Sequence, residues 1–298
     1  MKQRKLYLGP MTDNRRWDQF SPRADDVYVV TPPKCGTTWM QTIVALLFSG
    51  DPEVSPEPSI KMPWIDVRLR EMEEVAARLE AMPHRRSVKS HTPMDGLPYG
   101  EDGQYLLVFR HPLDAHFSFR NFVRNIPIRA FDLFYPEDDE TGVTFRRFMD
   151  GGREGYDMDV MPLAHILHHY NCALAFADRP NVTLFHYADM THDLAGTMAK
   201  VADILDITHP PALMSELVRA ATFDNMKAHA ERYAPSGGKG FLKSDADFFH
   251  SGTSGKWKGK LNQAQLAAYD TAMDEALDAA DRAWLEYGAG GAENAENA

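Results

Sequence analysis

Residues 27–48 constrain the fold of this chain more than any other stretch. Val27-Tyr28-Val29-Val30 is a short, β-branched apolar run of the kind that fills a buried strand. Thr31-Pro32-Pro33-Lys34-Cys35-Gly36 is a tight turn, and Met40 to Phe48 is apolar almost all round, as in a buried helix. A strand, a turn and a helix in this order bring backbone N–H groups together at the helix N-terminus. The macrodipole adds roughly half a positive charge there. Lys34 supplies a full charge, and Thr37 and Thr38 supply hydroxyl donors. The triphosphate signature G-x-x-x-x-G-K-[ST] is absent, because Lys34 precedes the glycine. A bare strand–turn–helix is also what an ordinary Pro/Gly connection looks like. An anion-binding role for the turn therefore needs support from the rest of the chain.

Strand and helix patterns alternate beyond this stretch. Residues 85–93 read as a short strand running into a loop that carries Lys89 and His91. Residues 105–109 (Y-L-L-V-F) form the clearest buried strand and end at Arg110. Residues 182–185 form another, reaching Tyr187. Helices are expected over 67–82 with Asp66 as its cap, over 115–125 capped by Asp114, and over 162–177, 194–205, 212–221 and 263–287. This alternation predicts right-handed βαβ units, hence one α/β domain over 1–287 with a central parallel β-sheet flanked by helices. Residues 1–25 should form an arm that packs Trp17 and Phe20 on the body. Residues 126–142 read as a long loop lining a site, 231–247 have the composition of a mobile loop, and 288–298 are expected to be disordered. Ligands of a parallel sheet sit beyond the C-terminal strand ends, which would gather Lys34, Lys89, His91, Arg110 and Tyr187 on one edge.

Composition narrows the partners. The 298 residues carry a net charge of -11, which disfavours nucleic acid and sulfated polysaccharide yet leaves room for a local basic pocket. No apolar run reaches about 18 residues, so no membrane span is expected. The basic start, Met1-Lys2-Gln3-Arg4-Lys5, is followed by no apolar signal core, and a cytoplasmic location is the expectation. Two cysteines, Cys35 and Cys172, argue against a disulfide scaffold. His168 and His169 lie near Cys172, but the spacing lacks a fourth ligand and no metal is expected.

Several strings, in order, resemble the cytosolic-type sulfotransferases that use 3′-phosphoadenosine 5′-phosphosulfate (PAPS). Residues 33–39, P-K-C-G-T-T-W, are similar to that family's 5′-phosphosulfate loop, and Cys35 stands where Ser is common. Arg110 at a strand end with Ser118 eight residues on resembles the pair that holds the 3′-phosphate. Lys89-Ser90-His91 is similar to the K-[ST]-H segment. Thr222-Phe223-Asp224-Asn225-Met226 resembles [ST]-F-x-x-M, and Tyr187-Ala188-Asp189-Met190 resembles Y-E-D-M with Ala188 in place of the acid. Residues 250–258 resemble R-K-G-x-x-G-x-W-K, except that His250-Ser251 replaces the Arg-Lys pair before Gly252.

The resemblance implies a P-loop-like fold and transfer of a sulfuryl group from PAPS to a hydroxyl or amine of a small acceptor, leaving PAP. His91 would take the acceptor proton, Lys34 would neutralise the bridging oxygen, and Lys89 would steady the transferring group. Lys34, Cys35, Gly36, Thr37 and Thr38 would form the cofactor-binding loop, with Thr37 and Thr38 holding the 5′-phosphate, Trp39 and Phe223 would take the two adenine faces, and Tyr187 and the 250–252 segment would complete the pocket. The loss of two fixed charges at His250-Ser251 weakens the 3′ end unless Lys239, Lys243 or Lys256 substitutes. Two other readings stay open: a P-loop nucleotide kinase, which explains the loop but not Lys89 and His91, and a PAPS- or PAP-binding protein that has lost turnover. The family's dimer motif, K-x-x-x-T-V-x-x-x-E, matches only at Lys258; Asn262, Gln263 and Ala267 depart from it. A monomer or a non-standard homodimer is expected.

Overall fold

The structure is a computed structural model and describes residues 4–128, 135, 142–151, 161–235, 242–249 and 252–291. Four strands form its sheet: β1 (Val27–Val30), β2 (Ser87–Ser90), β3 (Gln104–Phe109) and β4 (Val182–His186), in the order β2-β1-β3-β4. All neighbours are parallel, with Val30 opposite both Ser90 and Leu107, and Phe109 opposite His186. Strand side chains alternate between two apolar layers, as the period of 2 requires. Tyr28, Val30, Leu107 and Phe109 face one layer, and Val27, Val29, Leu106 and Val108 face the other.

The longer helices cover both faces. α1 (Thr37–Ser49), α6 (Leu194–Ile204) and α7 (Pro211–Ala220) pack on the second layer. The first is closed by α2 (Met72–Ala81), α3 (Pro112–Arg124), α4 (Gly142–Asp150), α5 (Leu163–Leu174), α8 (Gln263–Ala276) and α9 (Ala279–Tyr287). The fold class read from the sequence is the one observed. The arm packs as expected, with Trp17 and Phe20 buried around a 3-10 helix at Asn14–Gln19. A buried bidentate pair, Arg86 Nε and Nη2 on the Asp26 carboxylate at 2.7 and 2.6 Å, ties the start of β2 to the start of β1.

Several expected boundaries move. The helix expected over 67–82 starts only at Met72, because Asp66 turns inward and caps nothing. α3 starts at Pro112, where the fixed φ of proline suits a first turn, and its cap is the His111 ring rather than Asp114. The single helix expected over 263–287 breaks at Leu277, because Asp278 accepts the Ala280 and Asp281 N–H groups and starts α9 afresh. The expected disordered tail is partly anchored: the Ala289 and Gly290 N–H groups donate to Asp189 at 2.9 and 3.1 Å, and 292–298 lie outside the described residues. Most of the 126–142 loop also lies outside them, as do 236–241.

Candidate active site

The four strands end on one edge, and each end delivers a group with chemical potential to the same place. β1 leads through Thr31 to Lys34 and Gly36; β2 carries Lys89 and leads to His91; β3 leads to Arg110; β4 leads to Tyr187. Lys34, Gly36, Lys89, His91, Arg110 and Tyr187 line one cavity of about 1260 Å³, together with Thr37, Thr38, Trp39, Ser118, Phe223 and Gly252.

The loop has the conformation an anion cradle needs. Gly36 has φ +115°, and a Cβ there would stand 3.2 Å from Val108 and 3.3 Å from Tyr187. Only glycine suits that turn. Lys34 also has positive φ, 65°. Gly36 caps α1 without a side chain, so the first N–H groups of the helix remain available toward the cavity. Thr37 is tied to Thr31 by a hydroxyl–hydroxyl contact of 2.5 Å, whereas Thr38 is half-buried at the wall. Cys35 is the exception in the expected set. Its side chain is wholly buried against the core, its N–H donates to Pro32 at 3.4 Å, and burial pushes the thiol up to about 12. The structure turns the Cys35 side chain into the core and away from the cavity.

Cations crowd the wall. Lys34 Nζ lies over the Phe122 and Phe248 rings, 4.5 and 4.1 Å from their centroids, and Lys89 Nζ lies 4.6 Å over Trp64. Desolvation, then the nearby Arg110 charge, lowers Lys34 to about 7; desolvation lowers Lys89 to about 8, opposed by Asp66. The Arg110 guanidinium stacks 4.0 Å over Tyr187 and donates through Nη2 to Thr253 at 2.8 Å. Its buried Nε has no partner among the described residues. An unpaired buried donor is costly, and a group of stacked cations with one orphaned donor fits a ligand carrying several negative charges.

His91 sits among these cations in a defined tautomer. Its Nδ1 lies 2.7 Å from the Thr31 carbonyl, which only accepts, so Nδ1 carries the proton and Nε2 the lone pair. Burial, then the Lys89 charge, lowers its pKa well below 6.5 and keeps the ring neutral. The Trp64 ring meets it edge-on at 4.7 Å.

An aromatic slot adjoins these groups. The Trp39 indole donates to the Ala221 carbonyl at 2.8 Å and meets Tyr187 edge-on at 5.3 Å. The Tyr187 hydroxyl donates to the Gly252 carbonyl at 3.2 Å. Gly252 has φ +63°, and a Cβ there would come within 2.6 Å of the Phe223 ring. His250 and Ser251 lie outside the described residues, as does Lys239. Of the other two lysines considered as substitutes, Lys243 donates to the Arg124 carbonyl at 2.7 Å. Lys256 lines the cavity, lowered to about 8 by desolvation and then by Arg110.

The local patterns missed three residues. Asp114 accepts the Gly255 and Lys256 N–H groups at 2.9 and 2.8 Å, holding the segment after Gly252 to the start of α3. Trp64 and Asp66 stand beneath Lys89 and His91. An M-P-W-I-D string between helices was the only local signal for the last two. Elsewhere, Asp95, His168 and Cys172 approach within 4.8 Å of one another, and Tyr7 donates to Asp95 at 2.6 Å. His169 is turned away from this group and packs on Phe109.

The fold and the wall define a class: a group-transfer enzyme whose cavity gathers cations around a polyanionic donor. A sulfotransferase domain matches residues 24–281. A glycolipid sulfotransferase of Mycobacterium tuberculosis is 32% identical over 312 residues, covering 97% of this chain and 96% of the relative. A rabbit amine sulfotransferase (Oryctolagus cuniculus) is 26% identical, covering 87% and 83%. Among solved structures, retinol dehydratase in a complex with retinol and PAP aligns with TM-score 0.71 at 18% identity, covering 93% of this chain and 91% of that one. A mouse sulfotransferase complexed with PAP aligns with TM-score 0.69 at 19% identity, covering 90% and 88%. This chain belongs to the sulfotransferase family. The enzyme class implied by its motifs, a PAPS-dependent sulfotransferase acting on a small-molecule acceptor, stands on that membership, and the nucleotide-kinase alternative is set aside.

Proposed function

We propose that this enzyme transfers the sulfuryl group of PAPS to a hydroxyl or amine of an acceptor with an apolar body, using His91 as general base. The observation that carries the reading is the placement of His91 Nε2, unprotonated, in the same cavity as Lys34, Lys89 and the orphaned Arg110 donor. PAPS would supply the sulfuryl group and a nucleotide leaving group. The chain's own part is positioning and charge. In an in-line transfer negative charge grows on the leaving oxygen, and a cation fixed beside it lowers the barrier. Lys34 takes that place, Lys89 steadies the group in transit, and His91 removes the acceptor proton. Gly36, Thr37 and Thr38 hold the 5′-phosphate, and Arg110 with Ser118 holds the 3′-phosphate. Trp39 and Phe223 flank the adenine.

The cavity extends well past these groups, between Phe119, Val123, Phe148 and Met161. That apolar wall supports an acceptor with a hydrocarbon or aromatic body, and the name of the mycobacterial relative agrees with it. Transfer of radiolabel from PAPS to a panel of phenols, long-chain alcohols, amines and glycolipids tests the reading. Labelled product from an apolar-bodied acceptor is expected, and no product from any of them would overturn it. The weakened-binder alternative rests on His250-Ser251, and calorimetry with PAP, ADP and ATP separates it when combined with the turnover assay: PAP binding without labelled product would favour it. Lys256 beside Arg110 supports retained PAP affinity. No helix among the described residues is long and apolar enough to cross a membrane, and we place the enzyme in the cytoplasm.

A further inference from the structure

We propose that Asp66 is a positioning residue for the transfer, holding in register the backbone of His91 and the Trp64 ring on which Lys89 rests. The proposal takes His91 as the general base, as above. Asp66 is fully buried. Four donors converge on its carboxylate: Trp17 Nε1 at 2.5 Å on Oδ1, and Trp64 Nε1 at 3.0 Å, Ser90 Oγ at 2.7 Å and His91 N at 3.0 Å on Oδ2. All four partners donate, so a carboxylate satisfies every one, while any group bearing its own N–H would face another donor.

Trp64 transmits this arrangement. Its ring touches both ionisable groups of the K-S-H segment, Lys89 Nζ on its face at 4.6 Å and the His91 ring edge-on at 4.7 Å. Among the described residues the Lys89 ammonium makes no hydrogen bond or ion pair, so the indole face is its seat. The angle of that indole is set by the N–H bond to Asp66. Asp66 therefore governs the spacing between the base and the cation without touching substrate. It also contributes charge. Proton transfer to His91 adds an imidazolium to a wall that already holds Lys34 and Lys89, and Asp66 is the carboxylate bonded to this segment. Like-charge crowding costs most where water is excluded.

The groups facing Lys89 are Asp66 and the Trp64 ring; those facing His91 are the Thr31 carbonyl, Lys89, His169 and Lys34. Asp66→Asn keeps the shape, loses the charge and turns an NH2 group toward donors that the carboxylate accepted from. It should lower kcat by about 30- to 100-fold, while PAP affinity by calorimetry and acceptor KM change less than about threefold. The alkaline limb of kcat/KM should also move to lower pH, because Lys89 loses the charge that sustains its proton. Trp64→Phe keeps an aromatic face but loses the indole N–H and the breadth of the second ring. It carries the test where Asp66→Asn does not fold, with kcat expected to fall about three- to tenfold and little change in melting temperature. A folded Asp66→Asn enzyme with ordinary kcat and pH profile overturns the proposal. So does an unchanged kcat in Trp64→Phe. His91→Ala is the control: if it retains turnover, the base assignment itself fails, and if it is inactive while Asp66→Asn is normal, only the role of Asp66 fails.

Discussion

At residue scale, a histidine among cations raises the question of which charges exist at working pH. Burial holds His91 neutral, since its proton is bound only well below pH 6.5. A base in that state is ready throughout the neutral range, so no acid limb near pH 6.5 should appear. His91→Ala should lower kcat by about two to four orders of magnitude, with PAP binding by calorimetry little changed. Near-normal turnover in that variant would remove the assignment. The lysines run the other way. Lys34 near 7 and Lys89 near 8 are cations below those values and are lost as pH rises through them. The profile of kcat/KM for PAPS, which reports the free enzyme, should therefore decline from about pH 7 upward. In the complex, bound anionic groups favour the ammonium forms, so the decline in kcat should lie at higher pH. Coincident limbs in the two profiles would contradict this account. At Arg110, truncation to Ala should weaken PAP far more than 5′-AMP, because only PAP carries the second phosphate; equal losses would mark a structural arginine.

At the scale of elements, α3 does two jobs through its first turn. Pro112 starts the helix, and Asp114 binds the Gly255 and Lys256 amides of a segment more than 100 residues later in the chain. That segment includes Gly252, which packs against Phe223 and accepts from Tyr187. Removing the carboxylate with Asp114→Ala leaves two amides without their acceptor. Charge-assisted hydrogen bonds are worth roughly 1.5–3 kcal/mol each, so PAP should bind about tenfold more weakly, or worse, in a variant whose far-ultraviolet circular dichroism is unaltered. Undiminished PAP affinity would show that the segment is held by Arg110 and Tyr187 alone. Asp in a first turn is a local signal for a helix cap, but the His111 ring already fills that role, which frees Asp114 to reach across as a tether.

At the scale of the whole molecule, the region after Trp257-Lys258 bears on assembly. Asn262 and Gln265 form a capping box that starts α8, so Gln263 and Ala267 lie in helix rather than in an extended strip able to zip against a second copy. A monomer, or a dimer through another surface, is expected by sedimentation at micromolar concentration. A dimer dissolved by Lys258→Glu would overturn this. The buried Arg86–Asp26 pair belongs to the same scale, since it joins two strand starts with both side chains shielded from water. Asp26→Ala strands a buried guanidinium and should cost about 3–5 kcal/mol of unfolding free energy, measured by denaturant titration.

Local order along the chain determined much of this protein. The short apolar runs specified β1, β3 and β4, because side-chain period and burial are properties of neighbours. Lys34, Gly36, His91, Arg110 and Tyr187 were legible as residues that would share one cavity, because each lies at or beyond a strand end, and parallel strands deliver their ends to one edge. Tertiary structure alone decided the rest. Asp66 looked like a cap and is a hub, because its donors come from Trp17, Trp64, Ser90 and His91, as far as 49 residues away. Cys35 looked like part of the cradle and its side chain belongs to the core, because the turn points it into the layer that the sheet and helices close. Lys34 rests between Phe122 and Phe248, rings contributed by two distant elements. A hydrogen bond or a cation–aromatic contact depends on direction and distance in space, and those exist only once the sheet has brought its helices and loops together.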